Sequence, residues 1–442
     1  MGKSFRAWHP EQRLLLPPAV DEFVPPRHLA HLVRELARES LDLSAIVDSY
    51  EEERGYPPYD PVMMTALLLY AYCQGVYSSR RIAMACEQQL DFMAVTAMNR
   101  PDFRTISDFR KRHLAALSEL FVQVLGLCMN AGLVKLGHVA LDGTKLKANT
   151  SKHKAMSYGR MEQVQRQLLG EVASWFNQAE AADAAEDEEL GGERRGDELP
   201  GWVANKLHRL KKIGEAKAAL EAKARAKVQA EQSQSQDQPS GEAASGTPAA
   251  RPADQVQRNF TDPDPDSRIM EGAEGFVQTY NAQAAVDADS QVIVAQMLTN
   301  QPTDVNLLGP MLEQVEANTG HHAQEYSADA GYCSESNLTK IERLRVNAYI
   351  ATGRLLHGQA NATADRGQNG GPLRAAMWRK LRQGGLRSRY RLRKQTVEPV
   401  FGVIKQARGF RQFLLRGLAK VKAEWSMVCT AHDLCKLATV SG

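Results

Sequence analysis

The sequence predicts a mixed α/β domain that is interrupted by a helical insertion and preceded by an all-α region. Three observations carry that expectation. Residues 1 to about 135 show helical periodicity without a convincing strand. Runs of β-forming residues at 137–151, 275–299, 325–332 and 346–352 alternate with helical patterns. Between the first and second of those runs lies a long Ala-, Lys- and Glu-rich stretch followed by low-complexity sequence. The expected division is 1–135 for the helical domain, 136–151 for the first part of the α/β domain, 152–272 for the insertion and 273–442 for the remainder.

In the helical region, Leu29, Leu32, Val33 and Leu36 share one face at helical spacing. The stretch PVMMTALLLYAYCQG opens on Pro61 and closes on Gly75, as helices commonly do. SSRRIAMACEQQLDFMAV is a further helix. Thr105 and Asp108 stand at capping-box spacing ahead of an apolar stripe through Phe109, Leu114, Leu117, Phe121, Val124 and Cys128, and Gly132 suits the C-terminal cap. Arg80, Arg81, Arg104, Arg110, Lys111 and Arg112 suit either phosphate contact or a solvated helix face.

VALDGTKL reads as a core strand, and LPGWVANKLHRLKKIGEAKAALEAKARAKVQAEQ as a long solvated helix or helical hairpin. SQSQDQPSGEAASGTPAARPAD reads as a flexible linker. Two strands flank DADS as a hairpin, with Asp287 and Asp289 as turn residues. The helix DVNLLGPMLEQVEAN follows, capped by Asp304. Next come the strand in EYSADAGY, a helix in SESNLTKIERLR, a strand in VNAYIAT, a Gly-rich loop at 357–372, and a basic segment ending in a helix.

With 442 residues the chain can bury a sizeable core. Its 43% apolar and 24% charged content is that of an ordinary globular protein. The six cysteines form no CxxC pair, which suits reduced thiols. The N-terminus lacks a signal-peptide core, and VMMTALLLYAYC is too short for a bilayer. A cytoplasmic protein without a membrane partner is expected. The net charge is only +3, yet acids gather at 183–190 while bases crowd the last quarter. That asymmetry points to an anionic partner for the basic part.

Three carboxylates stand out. Asp142 lies within an apolar strand, where a charge is costly unless paired or bound to a cation. Asp329 ends a second core strand. Glu398 is the only acid between Asp365 and Glu424, among sixteen Lys and Arg. Two acids at core-strand ends and a third from a later helix form a set suited to hard divalent cations, which roughly 4 Å apart drive phosphodiester chemistry. Flanking bases would let DNA approach such an anionic site. Lys405 follows Glu398 by seven residues, about two helical turns. Singly, the acids also suit a turn cap, a turn former and an ion-pair partner. His321 and His322 lack metal partners at a suitable spacing. Cys429, His432 and Cys435 suit core packing, and Trp202 suits an anchor for the insertion better than a base-stacking platform.

ALDGTKLKANTS, YNAQAAVD, SADAGYCSESN and VEPVFGVIKQARGFRQFLLRG resemble the catalytic blocks of DDE transposases from bacterial insertion sequences. More narrowly, they resemble the IS-eleven-eighty-two type within the IS-four and IS-five superfamily, a similarity that extends to RPDFRTISDFRKRHL and FTDPDPDSRIM. The resemblance implies an RNase H-like catalytic fold. It implies Asp142, Asp329 and Glu398 as catalytic residues holding two Mg²⁺ ions per site, with Mn²⁺ as a substitute. It also implies double-stranded DNA as partner, both as terminal inverted repeats and as target, and a homodimer in the synaptic complex. In the family's Tyr-Arg-Glu-Lys signature the Lys is met by Lys405, but Lys394 stands at the Arg position and Arg391 at the Tyr position, beside Tyr390 and Arg393. Arg391, Arg393, Lys394, Lys405, Arg408 and Arg411 are the expected DNA contacts. A nuclease or resolvase without strand transfer, and a non-catalytic DNA-binding derivative, are the alternatives.

Overall fold

A computed structural model describes residues 19–50, 58–150, 155–156, 158–190, 201–235, 260–261, 264–272, 275–353, 371–384 and 388–441. The chain divides into two compact units, Met1–Leu146 with Asn281–Gly442, and Lys147–Tyr280. The greater part of the expected linker and of the Gly-rich loop at 357–372 lies outside the described residues, as does the side chain of Trp202.

In the first unit, α1 (Leu29–Glu35), α2 (Ser44–Val47), α3 (Pro61–Cys73), α4 (Ser79–Gln88), α5 (Leu90–Val95), α6 (Phe103–Arg112) and α7 (Leu114–Asn130) precede any strand. Helix α3 starts on Pro61 behind Asp60, whose carboxylate accepts from the backbone N–H groups of Val62 and Met63. Met64 through Cys73 are all buried, so the longest apolar run is a core helix, apolar on every side. Three expectations are corrected here. The run from 78 to 95 breaks into α4 and α5 at Gln89, which is extended. The expected capping box at Thr105 is not used: Asp102 caps α6, accepting from the N–H groups of Arg104 and Thr105. The long stripe then splits at His113, and α6 and α7 meet at 74°. Gly132 does close α7, with φ +72° and a bond from the Leu133 N–H to the Cys128 carbonyl that completes the C-terminal turn.

The strands are β1 (His138–Lys147), β2 (Ala155–Met156), β3 (Phe260–Thr261), β4 (Arg268–Gly272), β5 (Gly275–Asp287), β6 (Ile293–Thr299), β7 (Glu325–Ala328) and β8 (Asn347–Ile350). The sheet of the first unit runs β6-β5-β1-β7-β8. β5 and β6 pair antiparallel, whereas β1, β7 and β8 are parallel neighbours. A meander edge beside a parallel half, covered by helices, is the architecture of an RNase H-like fold with an insertion after its first strand. Asp287 exceeds its expected turn role. It is fully buried and accepts from the N–H groups of Lys135 and Leu136, and so ties the entry of β1 to the hairpin.

The second unit holds α8 (Tyr158–Leu190) and α9 (Gly201–Ser235), which pack side by side. Of the two forms expected for the stretch that begins LPGWVANK, the single long helix, α9, is therefore the one adopted, and it pairs with α8 rather than folding back on itself. The core between the two helices is small, with Met161, Leu168, Ile213, Ala216 and Leu220, and Lys206–Glu171 and Lys217–Glu162 pairs flank it. β4 pairs with the first half of β5, where the Tyr280 hydroxyl donates to the buried Asp264 at 2.7 Å.

Helices α10 (Leu308–Thr319), α11 (Glu335–Leu344), α12 (Pro372–Gly384), α13 (Leu392–Gly402) and α14 (Leu418–Ser441) complete the first unit. Helix α14 packs against α7, α3 and β6, joining the helical region to the sheet. Cys429 and His432 are buried on it, the core role expected of them. Trp425 is wholly buried, stacks on Phe401 and donates its indole N–H to the Gln283 carbonyl at 3.2 Å. Trp425→Ala should cost about 3–5 kcal/mol of unfolding free energy, measured by urea denaturation, through the cavity and the stranded carbonyl.

Candidate active site

Strand register fixes the first two acids. β1 pairs with β7 from His138↔Glu325 to Leu141↔Ala328, so Asp142 and Asp329 occupy the next position on adjacent parallel strands, about 4.8 Å apart in backbone spacing. Asp329 leaves the strand and caps a short turn, accepting from the Gly331 N–H at 2.9 Å. Gly143 is dictated by its neighbour: a Cβ there would collide with the Gln283 side chain. Its N–H donates to the Asp142 carboxylate at 2.9 Å.

Glu398 comes from α13, which contains Pro399. A proline cannot donate to the carbonyl one turn earlier, here that of Gln395. The Gln291 side chain donates to that carbonyl instead, at 3.0 Å, so the β5–β6 turn secures the helix that carries the glutamate. After Gly402 the helix widens into a π-turn over Val403–Ala407, which carries Lys405.

Arg393 joins the two ends of the site. Its guanidinium donates to Asp142 at 2.6 Å and to Glu398 at 3.2 Å. The side chains of Arg393 and Asp142 are only 13% and 15% exposed, whereas that of Glu398 is 45% exposed. The expected choice among Arg391, Arg393 and Lys394 thus falls on Arg393 for contact with the carboxylates. Lys405 donates to the Thr144 hydroxyl and to the Lys145 carbonyl, next along β1 from Asp142. Lys394 is exposed, and Arg411 lies near the surface with its guanidinium on the Lys405 carbonyl and the Gln406 side chain. Arg408 is turned the other way, with a buried guanidinium nitrogen and its charge felt by Tyr77, His432 and Asp433.

A fourth carboxylate belongs to the cluster. Asp304 accepts from the side chains of Asn281 at 2.6 Å and Gln283 at 2.8 Å, and lies 3.6 Å from the Lys145 ammonium. Its side chain does not cap α10, as expected, because the helix starts at Leu308 behind Leu307. Tyr332 donates to Gln283, which completes the network. The signal in the sequence was the polar pair Asn281 and Gln283 inside a buried strand, whose amides need buried partners. By contrast His322 pairs with Glu316 at 3.3 Å and stands apart from this site.

Burial and crowding set the electrostatics. Desolvation raises the Asp142 carboxyl to about 6 against the pull of Arg393, and the charges of Asp329 and Glu398 add to the rise. Burial also raises Asp329, aided by Asp304. Burial lowers Lys145 and Lys405, with the nearby carboxylates opposing. Among the described residues no group of three or more His, Cys, Asp or Glu is assembled to hold a metal ion, and Arg393 bridges Asp142 and Glu398.

Between about pH 4 and pH 6 the folded chain keeps a proton on Asp142 that the unfolded chain has released, so this group's contribution to stability falls as pH rises through that window. In the presence of a chelator, Asp142→Asn should therefore be more stable than the native chain at pH 7.5, by about 2–3 kcal/mol. The gap should close as the pH approaches 4, as followed by denaturant titration at several pH values.

Residues 18–112 match the family model described as Transposase domain (DUF772), and residues 252–434 match the Transposase DDE domain. The second match includes Asp329 and Glu398 but begins beyond Asp142, which the insertion separates from it in sequence. No curated protein and no solved structure matches the chain. Among the described residues no single helix is long and apolar enough to cross a membrane. With a DDE domain behind a helical transposase domain, the chain is a DDE-domain transposase of the general insertion-sequence superfamily.

Proposed function

We propose that the protein mobilises an insertion sequence of the IS-eleven-eighty-two type, by binding its terminal inverted repeats, hydrolysing the strand at each end and joining the freed 3′-hydroxyl to target DNA. The observation that carries this reading is the pair Asp142 and Asp329, each the residue after the last β1–β7 register pair, with Glu398 tied to Asp142 through one guanidinium. On this reading the domain limits are those expected from the sequence, and the helical region at 1–135 reads the element's ends. Pairing of two ends calls for a homodimer in the reacting complex.

Asp142, Asp329 and Glu398 would hold two Mg²⁺ ions, or Mn²⁺ in their place. The donors suit such ions, since carboxylate oxygens are hard ligands and burial raises the Asp142 carboxyl to about 6 despite the Arg393 guanidinium. Bound there, the ions would activate water or a 3′-hydroxyl and stabilise the leaving oxygen. Arg393 now supplies part of the positive charge. Glu398 turns toward the aspartates only if Arg393 gives up their shared contact, and its 45% exposure leaves it free to do so.

The other residues act on the DNA. Lys405, aligned by Thr144 beside Asp142, would neutralise the phosphate nearest the reacting bond. Arg391, Lys394 and Arg411 would hold the flanking backbone. A freed Arg393 offers a forked donor that a lysine cannot imitate. Arg408, turned inward, contributes to the protein core instead.

Glu398→Gln should abolish Mg²⁺-dependent cleavage of a duplex carrying the element's end, while binding that duplex within about twofold of the native chain. Products on a denaturing gel decide the reaction: joined strands mark transposition, and cut strands alone mark a nuclease. A Gln variant that cuts at the native rate would remove Glu398 from the mechanism. Separately, Mg²⁺ should raise the melting temperature of the native chain and leave that of Asp142→Asn unchanged.

A further inference from the structure

The helical region carries a basic surface that the carboxylate site does not use. Phe103, the first residue of α6, is 37% exposed. The guanidiniums of Arg80, on α4, and Arg104 lie over its ring, 5.2 and 5.7 Å from the centroid. Met84, one turn beyond Arg80, is 48% exposed, and Arg81 and Arg100 are exposed as well. Helices α4 and α6 pack together, so these residues belong to one body.

Their neighbours in sequence are already committed. Arg110 is buried and donates to the Tyr77 carbonyl at 2.9 Å and to the hydroxyls of Tyr72 and Ser79. Arg112 donates to the Ser49 carbonyl and lies over Tyr50, and Lys111 pairs with Asp108. Of the six basic residues expected to serve either phosphates or a solvated face, these three serve the fold. Among the described residues, Arg80, Arg81, Arg100 and Arg104 have no ion pair with a carboxylate. Asp102 lies close to Arg104, but its carboxylate is spent on the cap of α6, taking the N–H groups of Arg104 and Thr105 and the Thr105 hydroxyl.

We propose that this surface, centred on Phe103, grips the sugar–phosphate backbone of duplex DNA. A guanidinium held over an aromatic ring by cation–π attraction can still direct N–H groups outward, and phosphate accepts such a fork in pairs. The ring also orders two long side chains before DNA arrives, so less entropy is lost on binding. All four cations are arginine, whose planar fork can meet a phosphate through two parallel hydrogen bonds. The identity of the polyanion rests on the transposase reading; the location of the contact rests on the geometry alone.

The test uses the full chain with fluorescent duplexes, one bearing the element's end and one of unrelated sequence, titrated at several salt concentrations. Arg80→Ala with Arg104→Ala should bind both duplexes at least about tenfold more weakly at 0.15 M salt and lower the slope of log K against log salt by about 2. Phe103→Leu, which keeps the apolar volume, should lose part of that affinity, and Arg80→Lys with Arg104→Lys should restore the slope but only part of the affinity. Native affinity and slope in the double alanine variant, with an unchanged melting temperature, overturns the proposal. The catalytic reading fails separately: if the native chain binds but never cuts, that reading falls while the surface stands. If it cuts and the variant binds normally, the surface falls alone.

Discussion

One guanidinium organises the centre of this molecule. Parallel pairing of β1 and β7 forces Asp142 and Asp329 to the same level, and Asp304 and Glu398 bring two further carboxylates near them. Burial strips hydration from the Asp142 carboxyl, and the neighbouring carboxylates add repulsion, which is why it rises to about 6. Without Arg393 the rise would be larger. The charge that makes the site tolerable comes from the far end of the chain, 251 residues away, so the fold of the last quarter and the electrostatics of the first strand depend on each other.

That dependence explains several details with no obvious purpose in isolation. Helix α13 must present both Arg393 and Glu398, five residues apart, yet it contains a proline immediately after the glutamate. The carbonyl that Pro399 leaves without a donor is met by Gln291, itself held at φ +60° in the β5–β6 turn. From the other side, Gln283 receives Tyr332, donates to Asp304, and presents its backbone carbonyl to Trp425. Gly143 lies against this amide, and a side chain there would force the Gln283 side chain to shift. A polar network of this kind is rigid only when every member is satisfied, and losing one member strands the others.

The sequence made β1 and β5 to β8, most core helices and the three acids that the fold brings near Arg393 legible, because each rests on local pattern; β2, β3 and β4, within the stretch expected to be a helical insertion, were not. Periodicity marked α3, β1 and β7, and an acid in an apolar strand is conspicuous wherever the strand lies. What depended on contacts distant in sequence was not legible. Thr105 and Asp108 fit a capping box, but Asp102, already placed behind Pro101, reached the free N–H groups first. Asp304 looks like a cap until Asn281 and Gln283 are seen to need an acceptor. Arg110 and Arg408 look like surface cations, yet Arg110 is buried on the Tyr77 carbonyl and Arg408 acts on the buried face of α14; Arg112 stays exposed but is occupied by the Ser49 carbonyl and the Tyr50 ring. Charge alone does not tell an arginine that binds a partner from one that serves its own core.

The same distinction sharpens the basic tail. Its sixteen bases around one acid suggest a uniform polyanion clamp, but the structure sorts several of them by depth. Arg408 is directed inward, Arg393 spans the carboxylates, Lys405 stands beside them, and Lys394 and Arg411 lie further out. A phosphate approaching from solvent would meet the outer cations first, where attraction is long-ranged and sensitive to salt. Only afterwards would it meet Lys405 and Arg393, where partial burial makes each contact stronger and its geometry stricter. Glu398 sits at that boundary, exposed on one side and tied to Arg393 on the other. Its isolation among bases is therefore positional: a second acid there would weaken the outer attraction, while its loss would leave Arg393 anchored at one end only.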